Sequence, residues 1–360
     1  MKIQFVVRKN QGTSYHRLVN PFSYYIPDEG DTIQMLDYEK DEPFIDGDLL
    51  VFSNFIDTPS VVLKSYKKEG MKIVVDVDDM WNIPTTHPSY KTLAKYRHTE
   101  RVIESLKLAD IVICPTMRLQ AAVREYNKNT VVIPNAFPYG QENYTGTNWT
   151  AGTKTRFLYC GGASHYDDVA LLSGKFSRVA TDPQINKNAR FLLAGYNKPM
   201  RKQFFSAMDM KADNNNYTIV PGVRGEWDKM AAVFNQTGCA EILPAKDLVE
   251  YIEFYDYADV SLVPLRDHSW NSWKSTLKLA EAATRNLPVI CSNVAPYSDL
   301  QDVPGVMWVD NNNWLDHIRK SIKEPEYRKD MGQQLGEYAR KNWELTEWNK
   351  VRKQVFTSLL

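Results

Sequence analysis

The chain is 360 residues long, enough for two domains of ordinary size. With 43% hydrophobic and 24% charged residues it has the composition of a soluble globular protein with real cores to bury. Lys and Arg number 44 and so do Asp and Glu, which excludes a chain that is basic overall but leaves room for a local basic groove.

Before the elements themselves, three features set the compartment. The cysteines Cys114, Cys160, Cys239 and Cys291 have no CxxC pair and no metal-ligand spacing, and three of them end apolar runs, as small buried thiols do. That pattern fits a reducing compartment, and the expected location is cytoplasmic. The apolar stretch after Met1 is too short for a signal peptide and reads as a first strand. No run approaches the ~18 apolar residues of a membrane span, so no integral membrane association is expected.

In chain order, short β-type apolar runs alternate with longer amphipathic segments. Strands are predicted over 2–7, 32–36, 49–53, 72–77, 111–114 and 130–133, with helical patterns over 15–25, 61–69, 90–108 and 117–126 between them. A polar, turn-rich stretch follows from Asn135 through Gly152 and reads as a linker. A second series predicts strands over 156–160, 190–194, 217–220, 260–263, 288–292 and 306–309, with helices over 168–179, 248–255, 276–285 and 314–323. This alternation implies right-handed βαβ crossovers and parallel sheets covered on both faces. The expected fold is therefore α/β, with two doubly wound Rossmann-like domains facing a cleft. The expected boundaries are 1–140, 150–325, and a helical tail over 326–360 that packs back on the first domain.

In open α/β sheets ligands sit beyond the carboxyl ends of the strands, so residues just after strands carry the candidate chemistry. The loop Gly12-Thr13-Ser14-Tyr15-His16-Arg17 follows the first strand. Asp76-Val77-Asp78-Asp79 closes the fourth, with Trp81 adjacent; strand period places Asp76 and Asp78 on one face. These carboxylates suit acceptor hydroxyls, a divalent cation, or a cap on the following turn, and Trp81 suits stacking on an acceptor. Gly161-Gly162 follows the strand at 156–160, where absent side chains let backbone N–H groups approach a phosphate or merely make a turn. His165 and Asp167 lie just beyond.

The richest segment runs from Val263 to Glu281 and leads from a strand end into a helix expected to start near Ser275. Lys274 and Lys278, four apart, would share the first helical turns with the Ser275 hydroxyl and unpaired backbone N–H groups, which is what a diphosphate needs. Glu281, three residues on, would accept hydrogen bonds from a ribose diol. A solvated Lys/Glu helix face with a serine cap is the plain structural alternative.

The run Pro264-Leu265, Trp270-Asn271, Lys274-Ser275, Lys278, Glu281, Asn286-Leu287-Pro288 and Ala295-Pro296-Tyr297 resembles the donor-binding region of retaining GT-B glycosyltransferases of the glycosyltransferase group 1 kind. It is especially similar to a phage and bacterial branch with a Lys-Ser-x-x-Lys-x-x-Glu pattern. Gly12, Tyr15-His16-Arg17, Pro21-Phe22, Val74-Val75-Asp76-Val77-Asp78-Asp79 and Val132-Ile133-Pro134-Asn135 extend the resemblance into the first half.

The resemblance implies a metal-independent, retaining sugar transfer from a nucleotide-diphosphate sugar to a hydroxyl acceptor, with no cofactor beyond that co-substrate. The implied catalytic residues are Lys274, Lys278 and His16. Gly161, Gly162, Arg224, Asn271, Lys274, Ser275, Lys278 and Glu281 would bind the donor, Arg224 near the base. Gly12, Arg17, Asp76, Asp78, Asp79 and Trp81 would form the acceptor side. Acceptors of such enzymes include glycans and surface polysaccharides and, for phage members, hydroxymethylated DNA bases. One departure stands out: the larger group has two glutamates seven residues apart, and Glu281 matches the second while position 273 is Trp. Asn271 or Trp273 would then take over the sugar contact.

Two other classes fit parts of the chain. Asp76 and Asp78 resemble the nucleophile and acid/base of haloacid-dehalogenase-type phosphohydrolases, although Met80 departs from that pattern. The Lys- and Arg-rich tail with Trp343 and Trp348 suits a non-catalytic nucleic-acid-binding module.

Overall fold

The computed structural model describes residues 1–8, 11–41, 43, 46–54, 58–85, 87, 89–145, 153–197 and 223–360, the last range with backbone alone at 223 and 224. The predicted strand at 217–220 lies outside them. Contacts divide the chain into two units: Met1–Pro138 with Trp273–Leu277 and Trp343–Leu360, and Tyr139–Ser272 with Lys278–Asn342.

The first unit is built on strands β1 (Lys2–Val7), β2 (Thr32–Asp37), β3 (Leu49–Ser53), β4 (Lys72–Asp76), β5 (Ile111–Cys114) and β6 (Thr130–Val132). They pair in the order β2-β1-β3-β4-β5-β6, all parallel. Val- and Ile-rich strands of a parallel sheet are buried on both faces, and the two-residue period sorts them. Phe5, Val7, Leu49, Val51 and Val74 join Leu18, Phe22 and Phe356 on one side. Val6, Leu50, Phe52, Ile73 and Val75 meet Leu63, Val102 and Leu106 on the other.

The second unit is built on β7 (Thr155–Cys160), β8 (Ala189–Tyr196), β9 (Ala240–Pro244), β10 (Val260–Val263), β11 (Val289–Ser292) and β12 (Val306–Val309). Their order is β12-β11-β10-β7-β8-β9, again all parallel. Phe157, Phe191, Val260 and Ile290 of the sheet pack with Phe176, Trp227, Phe234 and Ile318. Strand β9 is absent from the sequence expectation: its Ala-Glu-Ile-Leu-Pro run is an edge strand, with Glu and Pro where a central strand would be apolar.

Several predicted helices are interrupted. The pattern at 90–108 breaks into Tyr90–Lys95 and His98–Leu108, because Arg97 adopts a left-handed conformation at φ 54°. The pattern at 15–25 becomes Gly12–Ser14, a π-helical turn over Tyr15–Val19, and Asn20–Ser23. The tail divides too. Helix Pro325–Asn342 belongs to the second unit, where Gly332 and Gly336 let it lie against Asn286: a Cβ on either would stand 1.9 Å from an Asn286 oxygen. Trp343–Leu360 belongs to the first, where the Phe137 N–H donates to the Trp343 carbonyl at 3.1 Å and Phe356 stacks on Phe22. No helix among the described residues is long and apolar enough to cross a membrane.

Candidate functional site

In each unit the strand order reverses once, and a crevice opens at such a point beyond the carboxyl ends of the strands. In the second unit β7 runs on to β8 and β9 on one side, while β10 runs on to β11 and β12 on the other. The loops after β7 and β10 therefore flank the reversal. Gly161 and Gly162 open the first loop for different reasons. A Cβ on Gly161 would meet the Tyr159 hydroxyl at 2.7 Å, whereas one on Gly162 would meet nothing nearer than Ser164 Oγ at 3.9 Å.

Asp168 ties the two loops together. The residue is 4% exposed; Oδ2 lies 2.8 Å from His165 Nδ1, and Oδ1 accepts from the Arg266 N–H and from Asn271 Nδ2, both at 2.9 Å. Asn271, expected to contact a sugar, is thus held from within, donating also to the Arg266 carbonyl at 3.1 Å.

The second unit holds another polar cluster. Glu281 is 0% exposed; Lys278 Nζ donates to it at 2.7 Å, and the Tyr251 and Tyr255 hydroxyls donate to it as well. Burial and then the Glu281 charge raise both tyrosine pKa values, so the two remain neutral donors. Burial alone would depress Lys278, but the Glu281 carboxylate outweighs it, and the net shift is upward: the ammonium stays charged. Burial pushes the neighbouring Cys160 thiol up to about 12, so it is no nucleophile. Glu281, expected to face a ribose, in this structure anchors Lys278 instead.

The helix expected near Ser275 spans Leu277–Ala283, so Lys274 and Ser275 precede it and do not share its first turn with Lys278. Both are taken by partners of the first unit: Lys274 Nζ lies 3.8 Å from Asp79, and Ser275 Oγ accepts from Asn135 Nδ2 at 2.8 Å. The Lys-Ser-x-x-Lys run is divided between the units. Trp273, the other candidate for the sugar contact, packs against the apolar cluster that contains Trp81.

In the first unit the order reverses between β1 and β3. Arg17, on the π-helical turn after β1, donates to Asp76 through Nε at 2.7 Å and Nη2 at 3.1 Å, to Asn135 Oδ1 at 3.0 Å and to the Ile133 carbonyl at 2.9 Å. Arg17 and Asp76 thus form an internal brace, not an acceptor surface. The brace also removes the phosphohydrolase arrangement, which needs an open carboxylate nucleophile at Asp76. Trp81 is corrected likewise: it is 2% exposed, edge-on to Tyr126 at 5.8 Å, and stacks on no acceptor because the core takes its ring.

Asp78 and Asp79 are only partly buried. Asp78 is pushed up to about 7 by burial, then by the charges of Asp79 and Asp76, against Arg17 and a hydrogen bond from Thr13. The Asp78 N–H donates to Asn54 Oδ1 at 3.3 Å. His16 stands edge-on to Tyr15 and Phe137, with ring centroids at 5.3 and 6.0 Å. Gly12 has open space where a Cβ would go. Among the described residues no three His, Cys, Asp or Glu side chains gather into a metal-binding cluster. The Trp-rich tail is not a binding face: Trp343 is 7% exposed, and Trp348 packs against the core of the first unit.

Arg224 is the second residue of helix Val223–Asn235, and its side chain lies outside the described residues. Sequence reasoning missed Asp168, Tyr251 and Tyr255 as site residues. Their only signal is position, since an acidic residue opening a helix and a Tyr pair four apart are ordinary surface patterns.

No family model matches the sequence, and no curated protein sequence does. Among solved structures the chain is similar to sucrose-phosphate synthase from Thermosynechococcus elongatus, at TM-score 0.69 and 12% identity over 100% of this chain and 99% of that one. It is similar to Anabaena HepE in complex with UDP and glucose, at TM-score 0.65 and 11% identity over 99% and 100%. Trehalose-6-phosphate synthase OtsA matches at TM-score 0.65 and 10% identity over 100% of both chains. At these identities the likeness is one of fold, and the chain has the GT-B fold of two Rossmann-like α/β domains.

Proposed function

We propose that the chain is a glycosyltransferase that moves a sugar from a nucleotide-diphosphate sugar to a hydroxyl acceptor, with retention and without a metal. What supports this most is the second unit's strand reversal. There Asp168 joins the loops after β7 and β10, and Lys278 is kept charged by a buried glutamate. The names of the similar structures fit the same chemistry, since they bind UDP with glucose or are synthases of sugar phosphates.

In the proposed reaction the bond from the sugar's anomeric carbon to the diphosphate breaks as the bond to the acceptor oxygen forms. The acceptor proton passes to the departing diphosphate on the same face. The protein's part is electrostatic: Lys278 balances the charge that grows on the leaving group. Glu281 holds Lys278 in place. His16, Gly12, Asp78 and Asp79 belong to the acceptor side, where the carboxylates accept from acceptor hydroxyls. Arg17 and Asp76 brace that side without touching the acceptor. The acceptor class favoured here is a glycan hydroxyl, and the location cytoplasmic.

A thermal-shift screen against UDP-, GDP-, ADP- and TDP-sugars tests the reading, because a donor at 100 times its dissociation constant stabilises the native state by about 2.7 kcal/mol. One donor family should raise the melting temperature, and the same donor should then be consumed with a glycan acceptor. No shift with any of them overturns the proposal. Consumption that depends on hydroxymethylated DNA would move the acceptor to the nucleic-acid class.

A further inference from the structure

We propose that His165 is a donor-contact residue whose imidazole donates a hydrogen bond to the diphosphate of the nucleotide sugar, with Asp168 as its positioning residue. The proposal rests on the sugar-transfer reading and assigns a residue within that site.

The geometry begins with Asp168. Its Oδ1 is already held by the Arg266 N–H and Asn271 Nδ2, so the carboxylate is fixed in the loop without help from the histidine. His165 Nδ1 meets the other oxygen at 2.8 Å. An ionised carboxylate only accepts, so Nδ1 carries the proton, and the ring's orientation and tautomer follow. In the cationic ring the second nitrogen, on the ring edge away from Asp168, is a donor as well. The His165 side chain is 28% exposed, so the pair sits at the surface of the loop.

Three further observations point to an anion beside the ring. His165 lies in the loop that follows β7, at the strand reversal. Gly162, three residues earlier, has φ −87° and no close neighbour for a Cβ, so neither backbone nor packing requires a glycine there. Its missing side chain leaves open ground next to exposed backbone. Arg266, whose N–H holds Asp168, places its guanidinium 3.5 Å from the exposed Asp167, so that acid is countered by a cation. A diphosphate is the part of a nucleotide sugar that a charged imidazole and open backbone recognise together.

The test titrates UDP, GDP, ADP and TDP, and the matching nucleotide-glucose, into the full chain by calorimetry. His165→Ala should weaken the nucleoside diphosphate that binds by about tenfold, as loss of one charge-assisted hydrogen bond does. The amide nitrogen of His165→Asn replaces only the nitrogen bonded to Asp168, so this variant should bind as weakly as alanine. His165→Gln replaces the outer nitrogen and should recover affinity to within about threefold. Asp168→Asn should weaken the parent and leave the His165→Gln variant unchanged. Rescue by Asn and not by Gln, or no loss with Ala, overturns the contact. Loss confined to the nucleotide-glucose moves the contact to the sugar and overturns the diphosphate assignment. Equal loss on Asp168→Asn in both backgrounds overturns the positioning role. If no diphosphate or nucleotide-glucose binds the parent chain, the donor-site reading itself falls and this proposal with it.

Discussion

Arg17 grips both oxygens of Asp76, at 2.7 and 3.1 Å, with each side chain 1% exposed. The pair ties the turn after β1 to the end of β4, two strands away in the sheet. Burial alone would weaken the guanidinium's hold on its proton, but Asp76 more than offsets it, and the pair stays ionic.

Removing one member should therefore be far worse than removing both. Arg17→Leu strands an ionised carboxylate in the core and should cost about 3–5 kcal/mol in urea unfolding. Arg17→Met with Asp76→Leu should recover most of that loss, because no uncompensated charge remains. A single variant that unfolds like the parent would mean that the pair is not buried in solution.

Lys278 and Glu281 make a functional counterpart. Lys278→Ala should lower the rate of sugar transfer by about 100-fold, the scale at which preorganised charge acts on a leaving group. Glu281→Gln keeps the ammonium but loosens its anchor, and should cost less. Steady-state rates with the donor identified by thermal shift decide the order. Equal rates for parent and Lys278→Ala would place the leaving-group charge elsewhere.

Asp78 sets a pH dependence whose sign can be worked out. Its carboxyl is pushed up to about 7 in the folded chain, by burial and by Asp79 and Asp76 against Arg17 and Thr13, from about 3.9 in an unfolded one. The folded state therefore holds the proton more tightly, and the group's contribution is fully present below about pH 4 and lost as pH rises through about 7. Asp78→Asn, which mimics the protonated form, should melt well above the parent at pH 8, with a gap that narrows at pH 5 and closes below about pH 4. A gap of the same size at pH 8 and pH 5 would rule this titration out.

The glycine pair separates packing from binding. Gly161→Ala drives a methyl to 2.7 Å from the Tyr159 hydroxyl and should cost about 1–3 kcal/mol of stability. Gly162→Ala meets no protein atom closer than 3.9 Å and should melt with the parent, while weakening donor binding if backbone there faces the phosphates. Melting curves and donor titrations on the two variants read these effects apart.

The alternation of Val- and Ile-rich runs with amphipathic segments was enough, by itself, to determine two parallel α/β units, because burying both faces of a strand demands an apolar run of its length. It also located the loops after the strands, where Gly162, His165, Asn271 and Asp78 lie. The edge strand β9 and the breaks at Arg97 and Tyr15–Val19 escaped, since edges and single left-handed residues leave weak patterns. Which charges face outward was decided only by the tertiary structure. Asp76 and Asp78 share a strand end, yet Arg17 locks one away and the other is left to titrate. Lys274 and Lys278 share a motif, yet Asp79 holds one and Glu281 the other. A charge's role depends on the partner that reaches it, and those partners lie 3 to 195 residues away in the chain.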